Sequence, residues 1–116
     1  MRDIISKPIE PAVYILSSKL NGTLYVGVTP AIFDRMMQHR TGTFPGFTKR
    51  HGVTRLVYFE FHTSMAEATR RERQLKKWNR LWKIRLIEQL NPGWCDLFDP
   101  AIGARTEAPG QQSHSR

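Results

Sequence analysis

Glu72 is the residue whose position points most directly to chemistry. The spacing of apolar groups predicts a helix over residues 65–78. The apolar stripe of this helix consists of Met65, Ala68, Leu75 and Trp78. Glu72 lies four residues after Ala68 and three before Leu75, which places it on or beside the stripe. An inward carboxylate is costly unless it pairs with an arginine, the commoner arrangement, or binds a cation such as Mg²⁺ together with water and substrate phosphate.

Two further pairs of side chains could act on a phosphate ester. Arg35 and His39 are four residues apart on another predicted helix and share one face. Arg35 could clamp a phosphate and His39 could relay a proton, although an isolated pair is more often a solvated face. Tyr14 and Tyr25 lie in two β-prone runs and share a sheet face if the loop between them has an even length. A phenol beside a cation is a candidate base, and simple aromatic packing is the alternative.

A long run of basic residues extends along the predicted helix and the one after it. The run comprises Arg70, Arg71, Arg73, Lys76, Lys77, Arg80, Lys83 and Arg85. Glu72 is the only acid among residues 70–85, and a smaller cluster contains Lys49, Arg50, His51 and Arg55. Charge runs are usually solvated faces, but one this long suits phosphate contacts, which position a nucleic acid without reading its sequence. Trp78 and Trp82, which interleave with the run, are interpreted as core residues rather than stacking platforms.

Composition limits the classes of protein that the chain could represent. The 116 residues fit one domain, and 18 Lys and Arg against 10 Asp and Glu give a formal net charge of +8. This imbalance favours nucleic acid as a partner, with an anionic membrane surface second. The single cysteine, Cys95, is interpreted as a small buried group in a reducing, cytoplasmic setting. No stretch resembles a membrane span, a signal peptide, a phosphate-binding glycine loop or a zinc motif.

The elements that must position these side chains begin with a hairpin and a helix. Residues 13–16 and 24–28 are predicted strands, and Asn21-Gly22 between them predicts a two-residue turn. Thr29-Pro30 predicts an N-cap followed by proline at the first helical position. This helix should end near Arg40.

The remaining chain predicts one more strand and two helices. Residues 41–53 are rich in glycine and are predicted to be a loop, and residues 56–61 form the third strand. A helix over residues 80–90 follows the one that carries Glu72. The predicted fold class is α+β, with a small three-stranded antiparallel sheet flanked by helices in the order β-β-α-β-α-α. The predicted boundaries are a lead-in over residues 1–11, one domain over 12–99 and a disordered tail over 100–116.

Two short motifs resemble the name motif of the GIY-YIG nuclease family. The first half corresponds to Ala12-Val13-Tyr14 and the second to Tyr25-Val26-Gly27, with the two tyrosines eleven residues apart. The resemblance covers roughly residues 13–99. Two phrases are typical of the small, single-domain bacterial branch of this family: Pro45-Gly46-Phe47-Thr48 and Glu72-Arg73-Gln74-Leu75-Lys76-Lys77-Trp78.

The other candidate residues also match family positions. Arg35, ten residues after Tyr25, corresponds to the catalytic arginine, and His39 lies one helical turn further along. Glu72 corresponds to the metal-binding glutamate on the later helix. Asp34 departs from the pattern, because many relatives carry Lys or Arg there. Asn91 is a candidate for the asparagine that often completes the family's site.

The resemblance implies a mechanism of phosphodiester hydrolysis. Glu72 would hold one divalent cation, Mg²⁺ or Mn²⁺, on the scissile phosphate. Tyr25 would activate water as the general base, with Tyr14 close by and His39 helping to take the proton. Arg35 would stabilise the charge that builds on the phosphate oxygens.

The function expected from this resemblance is a metal-dependent DNA endonuclease with little sequence specificity. Single-stranded or branched DNA, as met in repair or recombination, is the expected substrate, with no membrane and no obligate protein partner. The residues expected to contact nucleic acid are Lys49, Arg50, Arg71, Lys76, Lys77 and Arg80. The alternative is a catalytically weak nucleic-acid-binding module with the same fold, and Asp34 is the feature that favours it.

Overall fold

A three-stranded antiparallel sheet forms the centre of the protein. The computed structural model describes residues 9–44, 46–99 and 103–104. The strands are β1 (Ala12–Ser17), β2 (Leu24–Thr29) and β3 (Arg55–Phe61), in the order β2-β1-β3. The helices are α1 (Ile32–Thr41), α2 (Phe47–His51), α3 (Met65–Lys77) and α4 (Arg80–Leu90). The α+β class and the antiparallel sheet with flanking helices are therefore as predicted.

The central strand separates two apolar layers. Every residue of β1 is buried, because both of its neighbours are strands and both of its faces are covered. Tyr14 belongs to the cluster that contains residues of α1, whereas Val13 and Ile15 belong to the cluster with residues of α3 and α4. The segment after α4 contributes the buried residues Trp94, Leu97 and Phe98.

The register of the hairpin places Tyr14 and Tyr25 on the same face of the sheet. Leu16 pairs with Tyr25, and residues directly opposite in an antiparallel pair point to the same side. The predicted two-residue turn at Asn21-Gly22 is wrong, because the strands part at residue 17 and the loop spans residues 18–23. The loop still has an even number of residues, so the prediction that Tyr14 and Tyr25 share one face of the sheet is confirmed.

The start of α1 differs from the prediction. Thr29 is the last residue of β2 and pairs with Ala12, so it cannot serve as the N-cap. The N-cap is Ala31, and the Thr29 hydroxyl accepts a hydrogen bond from the Ala31 amide at 3.0 Å. Pro30 consequently lies between the strand and the helix rather than in the first helical turn.

The segment predicted to be a loop contains the short helix α2. The backbone enters this helix at Gly46, with φ of 102°, and leaves it at Gly52, with φ of 63°. Positive φ values of this size favour glycine, which explains why glycines lie at both ends of α2. These glycines are the reason that the segment was predicted to be a loop. A single helical turn is too short to produce a recognisable apolar period.

Three burial predictions are wrong. The Trp82 side chain is 50% exposed, because α4 buries only Ile87 completely and Trp82 lies on another side of the helix. Met65 lies in the first turn of α3 and is also exposed. Cys95 is exposed, while its neighbour Trp94 takes the buried position. Within the described helices, none is both long and apolar enough to span a membrane.

Two short strands follow the helical layer. They are β4 (Phe98–Asp99) and β5 (Gly103–Ala104), which pair antiparallel. This pair extends regular structure into the segment predicted to be a disordered tail. Residues 1–8, 100–102 and 105–116, on which the rest of the lead-in and tail predictions fall, lie outside the described residues.

Candidate active site

The Tyr14 hydroxyl is the meeting point of two predicted site residues from α1. Its oxygen lies 3.1 Å from His39 Nε2 and accepts a hydrogen bond from Arg35 Nη1 at 3.3 Å. Arg35 Nη1 also lies 3.3 Å from the Val28 carbonyl oxygen, which ties the guanidinium to β2. Burial raises the pKa of Tyr14 to about 12 in spite of the opposing effect of Arg35. Tyr14 is therefore a neutral, fully buried phenol that holds Arg35 and His39 in place.

The packing of the Tyr14 ring depends on the absence of a side chain at Gly27. These two residues are directly paired across β1 and β2. A Cβ atom at Gly27 would overlap the Cζ and hydroxyl oxygen of Tyr14. The glycine of the second name motif thus makes room for the tyrosine of the first.

Replacing Gly27 with alanine should therefore destabilise the protein and displace the Tyr14 hydroxyl. We expect a loss of about 1–3 kcal/mol in the free energy of unfolding, the usual cost of overpacking a core. Chemical denaturation measures this loss. Gly93→Ala is the matched control, since a Cβ there meets only Cys95 Sγ at an ordinary 3.5 Å. Equal stability of the two variants would contradict the close approach.

His39 bridges Tyr14 to a residue that the sequence interpretation missed. Its Nδ1 lies 3.1 Å from the hydroxyl oxygen of Thr48, a buried residue of α2. Burial, together with the nearby charges of Arg35 and Arg40, lowers the pKa of His39 to about 4. The imidazole is neutral at physiological pH, so one ring nitrogen donates and the other accepts. Thr48 and Tyr14 therefore provide a hydrogen-bond partner for each ring nitrogen of His39.

The lowered pKa of His39 predicts a pH dependence of stability. Between pH 6.5 and pH 4 the unfolded chain protonates this histidine whereas the folded protein does not, so stability falls as the pH falls. The loss over this window should approach about 3 kcal/mol. Urea denaturation at several pH values measures the slope for wild type and for His39→Gln. The slope of the unfolding free energy against pH should be smaller in the variant, by the equivalent of about one proton. Identical slopes would refute the neutral buried imidazole.

Tyr25 occupies the solvent side of this cluster. Its ring centroid lies 6.3 Å from that of Tyr14 and 5.9 Å from that of His39. Tyr25 is half-buried, in contrast to the fully buried Tyr14. The two tyrosines of the name motifs are thus adjacent but differ in access to water.

Phe44 is a second residue that the sequence interpretation missed. The guanidinium carbon of Arg35 lies 4.9 Å from the centroid of the Phe44 ring, within the range of a cation–π contact. The same ring lies 4.4 Å from the His39 ring. Phe44 therefore contacts both side chains that α1 supplies to the site, the guanidinium of Arg35 and the imidazole of His39. Its aromatic type within a glycine-rich segment was the only signal in the sequence.

Glu72 lies on the inward side of α3, as its spacing predicted. Its side chain is 13% exposed, and a carboxylate oxygen lies 2.8 Å from Lys76 Nζ one turn further along the helix. The partner is therefore a lysine rather than an arginine. Glu72 is close enough to Tyr14 to contribute, behind burial and the Arg35 contacts, to the shift in the pKa of that phenol. The Glu72 carboxylate therefore acts electrostatically on Tyr14.

The Glu72 carboxylate is a hard oxygen ligand of the kind that Mg²⁺ prefers. No cluster of three or more His, Cys, Asp or Glu occurs among the residues described by the structure. Mg²⁺ tolerates such a site, because it retains several waters and binds substrate phosphate. The Lys76 ammonium would have to share or release the Glu72 carboxylate when a cation binds.

The residues predicted to contact nucleic acid fall into two groups. Lys49, Arg50 and Lys77 are exposed. The other three make contacts within the protein. Arg71 pairs with Glu60 at 2.9 Å, Lys76 pairs with Glu72, and Arg80 donates to the backbone carbonyls of Asn21 and Gly22 at 2.7 Å.

Asn91 is placed away from the candidate site. It caps the C-terminal end of α4 and is buried. Its amide nitrogen donates to the carbonyls of Val57 and Cys95, and its amide oxygen accepts from the Cys95 amide. These bonds hold the segment after α4 against β3. They explain the buried position of Asn91 as a structural one.

Comparison with known families agrees with this arrangement of strands, helices and polar residues. Residues 10–85 match the family described as the GIY-YIG catalytic domain, a range that contains all five predicted catalytic residues. The chain belongs to the GIY-YIG family. Membership places it in a nuclease superfamily, implies binding of nucleic acid, and implies the divalent metal that these nucleases generally use.

The chain is similar to several bacterial UPF0213 proteins. It is 38% identical over 77 residues to one from Staphylococcus haemolyticus, which is 66% of this chain and 93% of that relative. It is 40% identical over 75 residues to one from Clostridium perfringens, which is 65% of this chain and 80% of that relative. The solution structure of a UPF0213 protein from Bacillus halodurans matches with 32% identity and a TM-score of 0.46, over 70% of this chain and 85% of that chain.

Proposed function

We propose that the protein is a metal-dependent endonuclease that hydrolyses phosphodiester bonds of DNA. The observation that carries this proposal is the hydrogen-bonded group of Tyr14, Arg35 and His39 beside the inward carboxylate of Glu72. Burying these polar groups is costly, and a surface that only binds phosphates has no need of them. Together these residues would supply the base, the cationic clamp and the metal ligand that hydrolysis of a phosphate ester uses.

Glu72 and Arg35 would stabilise the developing charge. Glu72 would hold one divalent cation, Mg²⁺ or Mn²⁺, whose charge polarises the phosphate when it is bound. Arg35 is oriented by Tyr14, by the Val28 carbonyl and by the Phe44 ring. A guanidinium held in this way can present its remaining N–H donors to phosphate oxygens without further ordering.

Tyr25 would act on the attacking water. It is the tyrosine of the pair with access to solvent, whereas Tyr14 is completely buried. His39 lies next to Tyr25, with the two ring centroids 5.9 Å apart, and would help to take the proton. Tyr14 would serve as a positioning residue, because its hydroxyl contacts Arg35 and His39 rather than solvent.

The substrate would be DNA bound mainly through its phosphates. Lys49, Arg50 and Lys77 are the predicted contact residues whose side chains are exposed for such binding. Contacts of this kind carry no direct sequence information, so we expect little sequence specificity. Single-stranded or branched DNA is the expected form.

The alternative is a nucleic-acid-binding module with weak catalysis. The ion pair between Glu72 and Lys76 favours this alternative, because the lysine ammonium neutralises the carboxylate without a metal ion. Asp34 adds a negative charge in the first turn of α1, next to Arg35.

A cleavage assay distinguishes the two functions. Labelled single-stranded, duplex and branched DNA are incubated with the protein and Mg²⁺ or Mn²⁺, with EDTA as the control. We expect metal-dependent cutting of at least one form. Salt-sensitive binding of DNA without cutting of any form would instead support the binding module.

A further inference from the structure

A row of aromatic rings leads from the candidate active site to the surface. The Phe47 ring centroid lies 6.5 Å from that of Tyr25, with an interplanar angle of 20°. The His51 ring is stacked on Phe47 at 4.3 Å and 23°. Phe47 is 41% exposed, and His51 is also exposed. We call Phe47 and His51 the aromatic shelf.

The aromatic shelf has a fixed position relative to the site. Thr48, the residue after Phe47, points inward and contacts His39, which anchors α2 against α1. His51 Nδ1 donates to the Phe47 carbonyl oxygen at 3.0 Å, so the imidazole is held over the phenylalanine ring. One exposed ring on a surface would need no explanation, but two stacked rings that are also nearly parallel to Tyr25 form a preorganised aromatic surface.

The charge around the aromatic shelf matches a nucleic acid. Lys49 and Arg50 are exposed on the same helical turn. No Asp or Glu occurs between residues 41 and 55. A flat aromatic surface flanked by cations is the combination that binds single-stranded nucleic acid, since bases stack on the rings and phosphates pair with the cations.

We infer that the aromatic shelf binds an unpaired nucleobase near the candidate active site. This inference rests on the proposed function and narrows its substrate to DNA with an unpaired nucleotide near the cut. In a duplex, neighbouring base pairs cover both faces of each base, whereas an unpaired base can extend the row of rings. Lys49 and Arg50 would pair with the flanking phosphates.

The test uses the Glu72→Gln protein, so that DNA stays uncut during binding. Fluorescence anisotropy measures the Kd for a labelled single strand and for the duplex of the same sequence. In this background Phe47→Leu should weaken single-strand binding roughly tenfold and leave duplex binding within about twofold, because leucine keeps the apolar volume but removes the aromatic ring on which His51 is stacked. Phe47→Trp should retain or tighten single-strand binding.

Phe61→Leu is the matched control, since Phe61 is 44% exposed on β3 and lies outside the row of rings. Equal single-strand affinities for the Phe47→Leu and Phe61→Leu proteins would overturn the inference. An equal loss for single strand and duplex would also overturn it. Binding that depends on Phe47, in a protein whose wild type cuts no DNA, would sustain the aromatic shelf and reject the proposed nuclease. Thermal unfolding of each variant confirms that the folds are intact.

Discussion

Replacing Glu72 with glutamine should reduce metal-dependent cleavage of DNA by roughly a thousandfold or more. Glutamine keeps the shape of the side chain on α3 and removes its negative charge. The charge stabilisation that a bound cation gives to a phosphate reaction is worth several kcal/mol, and each factor of ten in rate corresponds to about 1.4 kcal/mol. The rate of cleavage of labelled DNA in saturating Mg²⁺ measures this reduction. Residual activity of the variant should give the same cleavage products as wild type.

Glu67→Gln provides the control for this prediction. Glu67 is an exposed acid in the first turn of the same helix, so its loss changes the net charge equally but leaves the site intact. We expect its cleavage rate to stay within about threefold of wild type, in line with small effects at surface positions. Isothermal titration calorimetry measures the affinity of each protein for Mn²⁺. The affinity should be lower than that of wild type only in the Glu72→Gln protein. Undiminished cleavage by that protein would remove Glu72 from the metal role.

The register of the hairpin shows what local pattern can predict. The side-chain period of a strand is two, so an even loop puts Tyr14 and Tyr25 on one face whatever the form of the turn. The structure confirms this face, but the loop spans residues 18–23 in place of a two-residue turn, and Arg80 donates to its carbonyls. Parity is a local property of the chain, whereas the contact with Arg80 comes from a residue far along the sequence.

The helical spacing of Arg35 and His39 likewise placed both residues on one side of α1. Their common partner, the Tyr14 hydroxyl, comes from a strand, and no local pattern shows the distance between them. Thr48 and Phe44 were missed for the same reason. They lie in a segment without a period, and only the folded structure brings them to His39 and Arg35.

The exposed Trp82 illustrates a second limit of sequence patterns. Residues 80–90 carry apolar groups on two lines, and the period alone cannot decide which line faces the sheet. In the structure Ile87 takes the buried position, and Trp82 packs edge-on against Trp78 near the surface. The interpretation as core was therefore wrong for Trp82. Tertiary packing decides burial when a helix has apolar residues on more than one side.

Replacing Arg35 with lysine should reduce cleavage by roughly a hundredfold to a thousandfold, although the positive charge is retained. The guanidinium donates to Tyr14 and the Val28 carbonyl, lies against the Phe44 ring and has further N–H groups for a phosphate. A lysine ammonium is a point charge with three donors and cannot reproduce this planar arrangement. Loss of one donor that stabilises developing negative charge typically costs a factor of this size.

The control for Arg35→Lys is Arg50→Lys, because Arg50 is exposed on α2 and its proposed role is contact with phosphates. A lysine there still offers a positive charge, so cleavage should stay within about threefold of wild type. The two variants therefore separate the forked geometry of an arginine from its charge. If Arg35→Lys cleaves as well as Arg50→Lys does, charge alone suffices at both positions. The contacts that hold Arg35 to Tyr14, Val28 and Phe44 would then be part of the fold rather than of the reaction.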